Sequence, residues 1–217
     1  MSIHQTYAVF GLGRYGVSVA KELSSNGAEV LAVDVSEAVV SSASAELPFC
    51  KCADVTDPEV IRQLGISNMD VVIIAMAGNL EAAVMATALC KEAGVSKVIV
   101  KCASEMHRKI LRRVGADQAV IPESESGIRL AKNLLSSGFV DMIELSRDVS
   151  MVELDVRPEW VGKNLKELNL RKKYDINIVA ILHNKEVNAS IDPEQPLDAS
   201  MRLIVIANTA KLAKLKK

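Results

Sequence analysis

The tightest constraint on this chain lies in residues 7–16, Tyr-Ala-Val-Phe-Gly-Leu-Gly-Arg-Tyr-Gly. An apolar run, Ala8, Val9 and Phe10, ends in glycines at 11, 13 and 16, and the helix-like pattern Val17, Val19, Ala20, Leu23 follows. Strand, turn and helix are expected in that order. Gly11 permits the tight turn, Gly13 lets the backbone come close to a phosphate because no Cβ intervenes, and Gly16 lets the helix pack on the strand. The N–H groups at the helix start then face an anion. The spacing gains meaning when a second strand ends in an acid roughly 20 residues on. Residues 28–33 read as that strand and Asp34 closes it, where a carboxylate can accept hydrogen bonds from both ribose hydroxyls. A nucleotide-binding Rossmann half is expected.

The pattern then repeats its alternation without repeating its sequence. Ser36 caps a helix that Pro48 ends, a short strand over 49–53 delivers Asp54, and Asp57 with Pro58 opens the next helix. Residues 71–76 form a continuous apolar run, as in a parallel sheet covered on both faces. Asn79 caps a long helix that stops at Gly94, a strand over 97–100 ends at Lys101, and a helix over 104–114 closes on Gly115. A sixth strand, 119–121, leads into Pro122 and Glu123. So regular an alternation implies α/β architecture, a doubly wound parallel sheet with right-handed crossovers, over 1–123. Ligands in such sheets lie at the carboxyl ends of the strands, which here carry the glycine turn, Asp34 with Val35, Asp54, the small stretch from Ala75 to Gly78, Lys101 and Glu123.

Residues 124–140 read as an amphipathic crossover helix with Ile128, Ala131, Leu134 and Leu135 on one stripe, continued by Phe139, Val140 and Met142. Such a stripe either packs on its own sheet or docks on a second subunit, and the second is favoured because the apolar surface extends beyond a completed sheet. From 141 to 217 a small α+β domain is expected: alternation at 150–156, a short helix near 165–170, and strands at 177–182, 187–191 and 203–207, the first two joined as a hairpin through residues 183–186.

Charge and length narrow the partners. A net charge of −1 over 217 residues gives no general attraction to nucleic acid or to an anionic membrane surface. The basic tail, Lys211, Lys214, Lys216 and Lys217, reads as a solvated helix end. The apolar run 71–77 falls well short of the roughly 20 residues of a membrane helix, and nothing before Tyr7 reads as a signal peptide. A cytoplasmic location is expected. Cys50, Cys52, Cys90 and Cys102 lie in or beside apolar segments without zinc-type spacing, which points to buried, reduced thiols.

Two functions share this architecture. A dehydrogenase needs a proton donor or acceptor beside its cofactor, yet His4, His107 and His183 fall before the first strand, on a crossover helix and in the hairpin turn. A sensor needs only differential binding. Arg14, between the second and third glycines, can swing over the phosphates, where a further cation is worth most against the extra charge of a γ-phosphate. Glu123 beside phosphates makes sense with Mg²⁺ or Ca²⁺ between the oxygens, since both prefer oxygen ligands. An NAD-dependent oxidoreductase stays open as the alternative to a nucleotide sensor. A redox-sensing repressor is disfavoured for want of a basic DNA-reading helix.

The segment Gly11-Leu12-Gly13-Arg14-Tyr15-Gly16, the strand end Ala32-Val33-Asp34, Ala53-Asp54-Val55-Thr56, and the run from Ile110 through Gly115-Ala116-Asp117 to Ile121-Pro122-Glu123 together resemble the regulator-of-potassium-conductance family, in particular the cytosolic regulatory subunits of Ktr/Trk-type bacterial potassium uptake systems. The resemblance spans essentially the whole chain. It implies a ring, usually an octamer built from dimers, under a membrane potassium transporter, with ATP or ADP, and in some members NAD or NADH, selecting between ring shapes. It implies cofactor contacts at Gly11, Leu12, Gly13, Arg14, Tyr15, Gly16, Asp34, Val35, Asp54 on the adenine side, Ala75, and Lys101 near the phosphates, with Glu123 holding a divalent cation between paired subunits. The helix after Glu123 resembles one that swaps between protomers. Residues 169–174 resemble a segment near the cyclic di-AMP pocket of Gram-positive relatives, so cyclic di-AMP is a candidate ligand of the C-terminal domain. Ala53 stands where many members have glycine.

Overall fold

In the computed structural model, which describes residues 5–135, 139–146 and 148–208, the first half alternates strand and helix throughout. β1 (Thr6–Phe10), α1 (Arg14–Ser25), β2 (Glu29–Asp34), α2 (Glu37–Ala43), β3 (Cys50–Cys52), α3 (Pro58–Gln63), β4 (Val71–Ile74), α4 (Leu80–Glu92), β5 (Lys97–Lys101), α5 (Glu105–Val114) and β6 (Gln118–Val120) succeed one another. The six strands pair in parallel in the order β3-β2-β1-β4-β5-β6. The order reverses between β1 and β4, and that switch point is where such a sheet opens a crevice at its carboxyl edge.

Side chains alternate across this sheet. Ala8, Phe10, Val33, Val72, Ile74, Val98 and Val100 pack on one face with Ala83, Ala86, Cys90 and Leu111. Val9, Val30, Ala32 and Ile73 pack on the other with Ala20 and Leu47. All four residues of β4 are buried because both faces are covered. Helix starts follow the sequence: Ser36, Asp57, Asn79 and Ser104 each accept a first-turn N–H, and Glu37, Glu59, Glu81 and Glu105 lie in the first turns. α1 differs, with Gly13 at its N-cap, no capping side chain and no acid in its first turn.

The chain divides into two compact units, Met1–Ser124 and Glu125–Lys217. The helix α6 (Pro122–Leu135) runs across that division, followed by β7 (Phe139–Glu144), β8 (Val149–Asp155), α7 (Leu165–Leu168), α8 (Leu170–Tyr174), β9 (Ile176–His183), β10 (Glu186–Asn188) and β11 (Arg202–Asn208). The second sheet is antiparallel in the order β10-β9-β11-β8-β7. Its core gathers Val152, Leu154, Ile176, Leu203 and Val205 around the buried Trp160. The Trp160 ring meets that of Tyr174 at 6.2 Å and a 51° tilt, and the Arg157 guanidinium stands 5.2 Å from its centre. Among the described residues no helix is long and apolar enough to cross a membrane.

Several elements depart from expectation. α6 begins at Pro122, a residue suited to the first helical turn, so Glu123 belongs to a helix start and not to a strand end. The helix expected over 124–140 ends at Leu135, and β7 takes up the chain at Phe139. The short helix near 165–170 is two, parted at Asn169, whose φ of 46° breaks the helical path. The hairpin turns on Asn184 and Lys185, with φ of 51° and 68°, so His183 ends a strand. Cys52 is exposed and Cys50 half-buried, because β3 is an edge strand; Cys90 and Cys102 are buried as expected. His4 and the lysine tail lie outside the described residues.

Candidate nucleotide-binding site

The crevice at the switch point is a cleft of about 340 Å³ lined by Gly11, Val33, Asp34 and Val35, by Ala53 to Thr56, and by Met76, Asn79 and Ala82. Gly11 forms its floor with φ of +88°, and its N–H donates to the Val33 carbonyl at 2.8 Å. A Cβ there would meet Met76 Cγ at 2.9 Å and the Ala75 carbonyl carbon at 3.2 Å. Gly16 is tighter still: its Cβ would stand 1.9 Å from the Gly11 carbonyl oxygen. Gly13 is the opposite case, since a Cβ would find nothing within 4 Å. Two glycines are thus required by packing, while the third leaves backbone open to an approaching group. Ala75 lies beneath this turn, its N–H donating to the Phe10 carbonyl at 2.7 Å and its Cβ 3.3 Å from where a Gly16 side chain would begin.

Asp34 ties the turn to the second strand. One carboxylate oxygen accepts the Leu12 N–H at 2.7 Å and the other accepts the Ser36 N–H at 2.9 Å. Each oxygen has two lone pairs, so one on each remains for a ribose hydroxyl. The Leu12 side chain is buried in the core below, which fixes the N–H that holds Asp34. Across the cleft, Asp54 Oδ1 accepts both the Thr56 hydroxyl at 2.7 Å and the Thr56 N–H at 2.9 Å. Those bonds hold the Asp54 carboxyl below the ordinary carboxylate range. Val35, exposed by 71%, supplies an apolar wall at the same end.

A third group stands at the start of α1. Lys101, at the end of β5, pairs with Glu123 in the first turn of α6 and lies 5.4 Å over the ring of Tyr15. Hydrogen bonding to Lys101 leads the causes that keep the Glu123 carboxyl below its usual range, and the Arg14 charge adds to them. Of the residues expected from sequence, Gly11, Asp34, Val35 and Asp54 line the cleft, while Lys101, Glu123 and Tyr15 form a separate cluster; Arg14 is exposed. Met76 falls within the strand end expected over 75–78; Thr56, Asn79 and Ala82 escaped sequence reasoning as cleft residues, although the Asp-x-Thr spacing and the helix-capping Asn79 were both legible.

Fit to a nucleotide rests on the open backbone at Gly13, where a Cβ would find nothing within 4 Å, and on the cleft between two acid-bearing strand ends. A divalent cation is different: the Glu123 charge is already met by Lys101, and among the described residues no group of three or more His, Cys, Asp or Glu stands together. One subunit alone does not furnish a cation site there.

Residues 7–122 match the TrkA-N domain and residues 149–217 the TrkA-C domain. The chain belongs to this family. Ktr system potassium uptake protein C of Bacillus subtilis is 37% identical over 97% of this chain and 96% of its own length. Ktr system potassium uptake protein A of Bacillus subtilis, 34% identical over 94% and 92%, and that of Vibrio alginolyticus, 34% identical over 95% and 94%, match equally broadly. Among solved structures, the GsuK channel superposes with a TM-score of 0.66 at 17% identity, covering 98% of this chain and 39% of the channel chain. The GsuK channel bound to NAD gives 0.65 at 17%, with the same coverage. At such identities the likeness shows a shared fold.

Proposed function

We propose that this protein is the nucleotide-sensing regulatory subunit of a Ktr/Trk-type potassium uptake system, holding an adenine nucleotide to change shape without transforming it. The observation that carries the reading is the end-to-end match to Ktr system potassium uptake protein C. Gly11, Gly13 and Gly16 take the phosphates with the first turn of α1, Asp34 the ribose, and Val35 with Asp54 the adenine side; ATP, ADP, NAD and NADH all share those parts. Leu12 and Ala75 act from below by fixing the turn. Arg14 and Tyr15 lie at the phosphate end, near Lys101, and Arg14 reaches the additional charge that separates ATP from ADP. Among the described residues the titratable groups lining the cleft are Asp34 and Asp54, each bonded to backbone N–H groups, which favours holding a ligand over moving its protons.

A ligand shifts a ring only as far as it binds one shape better, about 1–3 kcal/mol of coupling in typical cases. The partners are copies of this chain, in dimers and an octameric ring, and a membrane potassium transporter that holds the ring at the cytoplasmic face. Exposed Ile128, Leu130 and Leu134 on α6 support a subunit contact. Glu123 takes part in a Mg²⁺ or Ca²⁺ site once a nucleotide and a second subunit add oxygens. In the second unit a hollow of about 260 Å³ lined by Asn169, Leu170, Arg171 and residues 176–178 favours cyclic di-AMP there, since it pairs a guanidinium with apolar walls.

Calorimetric titration of the full chain with ATP, ADP, NAD and NADH tests the reading. Saturable uptake is expected, and Arg14→Ala should bring the ATP and ADP affinities together. Absence of any uptake sinks the sensor; a parental ATP-to-ADP ratio in the variant sinks the role of Arg14.

A further inference from the structure

Two side chains lining the cleft have their hydrogen-bonding character fixed by their own local turns. Asp54 Oδ1 accepts both the Thr56 hydroxyl, at 2.7 Å, and the Thr56 N–H, at 2.9 Å. Its two lone pairs are thereby taken, and Oδ2 is the atom left to meet a ligand. The same bonds keep the carboxyl below the ordinary carboxylate range, so near neutral pH Oδ2 accepts and does not donate. Asn79 is the reverse case. Its Oδ1 accepts the Ala82 N–H at 3.0 Å as the N-cap of α4, which commits the oxygen and leaves Nδ2 to donate. The cleft thus offers one acceptor and one donor, and neither can exchange its role without breaking a turn.

We infer that Thr56, acting through Asp54, and the capped amide of Asn79 make this cleft selective for adenine over purines that carry a carbonyl in place of its amine. This selectivity rests on the nucleotide reading above and adds to it the choice of base. Adenine presents its exocyclic amine as a donor and the neighbouring ring nitrogen N1 as an acceptor. The amine meets Asp54 Oδ2, and N1 meets the Asn79 amide. Hypoxanthine reverses both groups, with a carbonyl oxygen where the amine stands and a hydrogen on N1. Asp54 would then face a second acceptor and Asn79 a second donor, each left unpaired. Turning the Asp54 carboxyl aside is no remedy, because the two bonds from Thr56 hold it. Val35 and Met76 offer the same apolar walls to every purine, so the choice falls to the polar pair. Thr56 is a positioning residue, whereas Asp54 and Asn79 touch the base.

Calorimetric titration of the full chain with ATP and with inosine triphosphate tests this selectivity. The two differ only in the reversed edge, so the ratio of their affinities isolates it from phosphate, ribose and stacking. The parent should bind ATP tighter by roughly tenfold or more, the scale of a hydrogen bond lost with its partner unpaired. Thr56→Val frees the carboxyl to turn and should lower the ratio by roughly threefold or more, while Thr56→Ser, which keeps the hydroxyl, should retain it. Asn79→Asp preserves the helix cap but puts an acceptor where the donor was, and should also lower the ratio. Its added charge weakens both nucleotides alike and cancels. A parent that binds the two equally, or a parental ratio in whichever of Thr56→Val and Asn79→Asp folds, overturns the selectivity and leaves the sensor standing. If the parent takes up neither nucleotide, the sensor fails and the selectivity falls with it.

Discussion

Replacing Gly16 by alanine tests the turn at its least forgiving point. The new Cβ would lie 1.9 Å from the Gly11 carbonyl oxygen, more than 1 Å inside the 3.0 Å that real Cβ atoms keep, and Ala75 Cβ blocks the other side at 3.3 Å. Backbone must move, because no flexible side chain stands there to yield. Overpacking of this kind costs about 1–3 kcal/mol. Shifting the turn also loosens the bonds from Gly11 to Val33 and from Leu12 to Asp34, at 2.8 and 2.7 Å, each worth about 1 kcal/mol. A loss of about 3–5 kcal/mol in all, at roughly 2–4 °C per kcal/mol for a chain of this length, lowers the melting temperature by about 6–20 °C. Gly13→Ala is the control: its φ of −69° suits alanine and its Cβ meets nothing within 4 Å. Its stability should fall by no more than about 1 kcal/mol, the penalty of alanine at a helix N-cap. Its ATP affinity should fall by about tenfold or more, since the Cβ stands where the phosphate approaches. Urea unfolding followed by circular dichroism reads the first quantity and calorimetry the second. A Gly16→Ala chain with the parental midpoint, or a Gly13→Ala chain with parental ATP affinity, refutes the division of labour between the glycines.

The thiols and carboxylates make two further expectations. At pH 8 a chromogenic disulfide should label exposed Cys52 first, whereas burial pushes the Cys90 thiol up to about 12 and raises Cys102, so both should react only on unfolding; because Cys52 Sγ reaches the carbonyl of the cleft residue Val35 at 3.4 Å, saturating ATP should slow its labelling, and equal rates at Cys52 and Cys90 would contradict the burial pattern. Asp54 is held below the ordinary range by the Thr56 hydroxyl and N–H; Asp117 is raised by desolvation but lowered further, net, by the Val98 N–H and Lys91. The unfolded chain therefore takes up protons first, so their contribution is complete above about pH 4 and is lost as pH falls through the depressed values. The urea midpoint should be flat from this cause between pH 7 and 5 and fall below about pH 4, less steeply in Asp117→Asn; an unchanged acid slope in that variant would refute the assignment.

The first sheet was legible because its signals are local. Glycines at 11, 13 and 16, Asp34 at a strand end, and caps at Ser36, Asp57, Asn79 and Ser104 each act within a few residues of where they stand. β7 was missed because the helix was expected to run on over 124–140 and the apolar residues after it were read only as an extended surface, although Val140 is β-branched and the pairing from Phe139 to Leu154 is long-range. The break at Asn169 and the turn at Asn184–Lys185 lack the glycine that usually marks positive φ. In the site, Asp34 could be placed by its spacing, but the Lys101–Glu123 pair joins residues 22 apart in sequence through the pairing of β5 with β6, which no local pattern announces.

Trp160, the chain's one tryptophan, is buried in the second unit, whereas Tyr7 and Tyr15 belong to the first. Light absorbed at the red edge of the aromatic band, where tyrosine is transparent, therefore excites the C-terminal half alone. Its emission follows the melting of that half, while backbone dichroism follows both, so a single sample divulges whether the halves come apart together or in sequence.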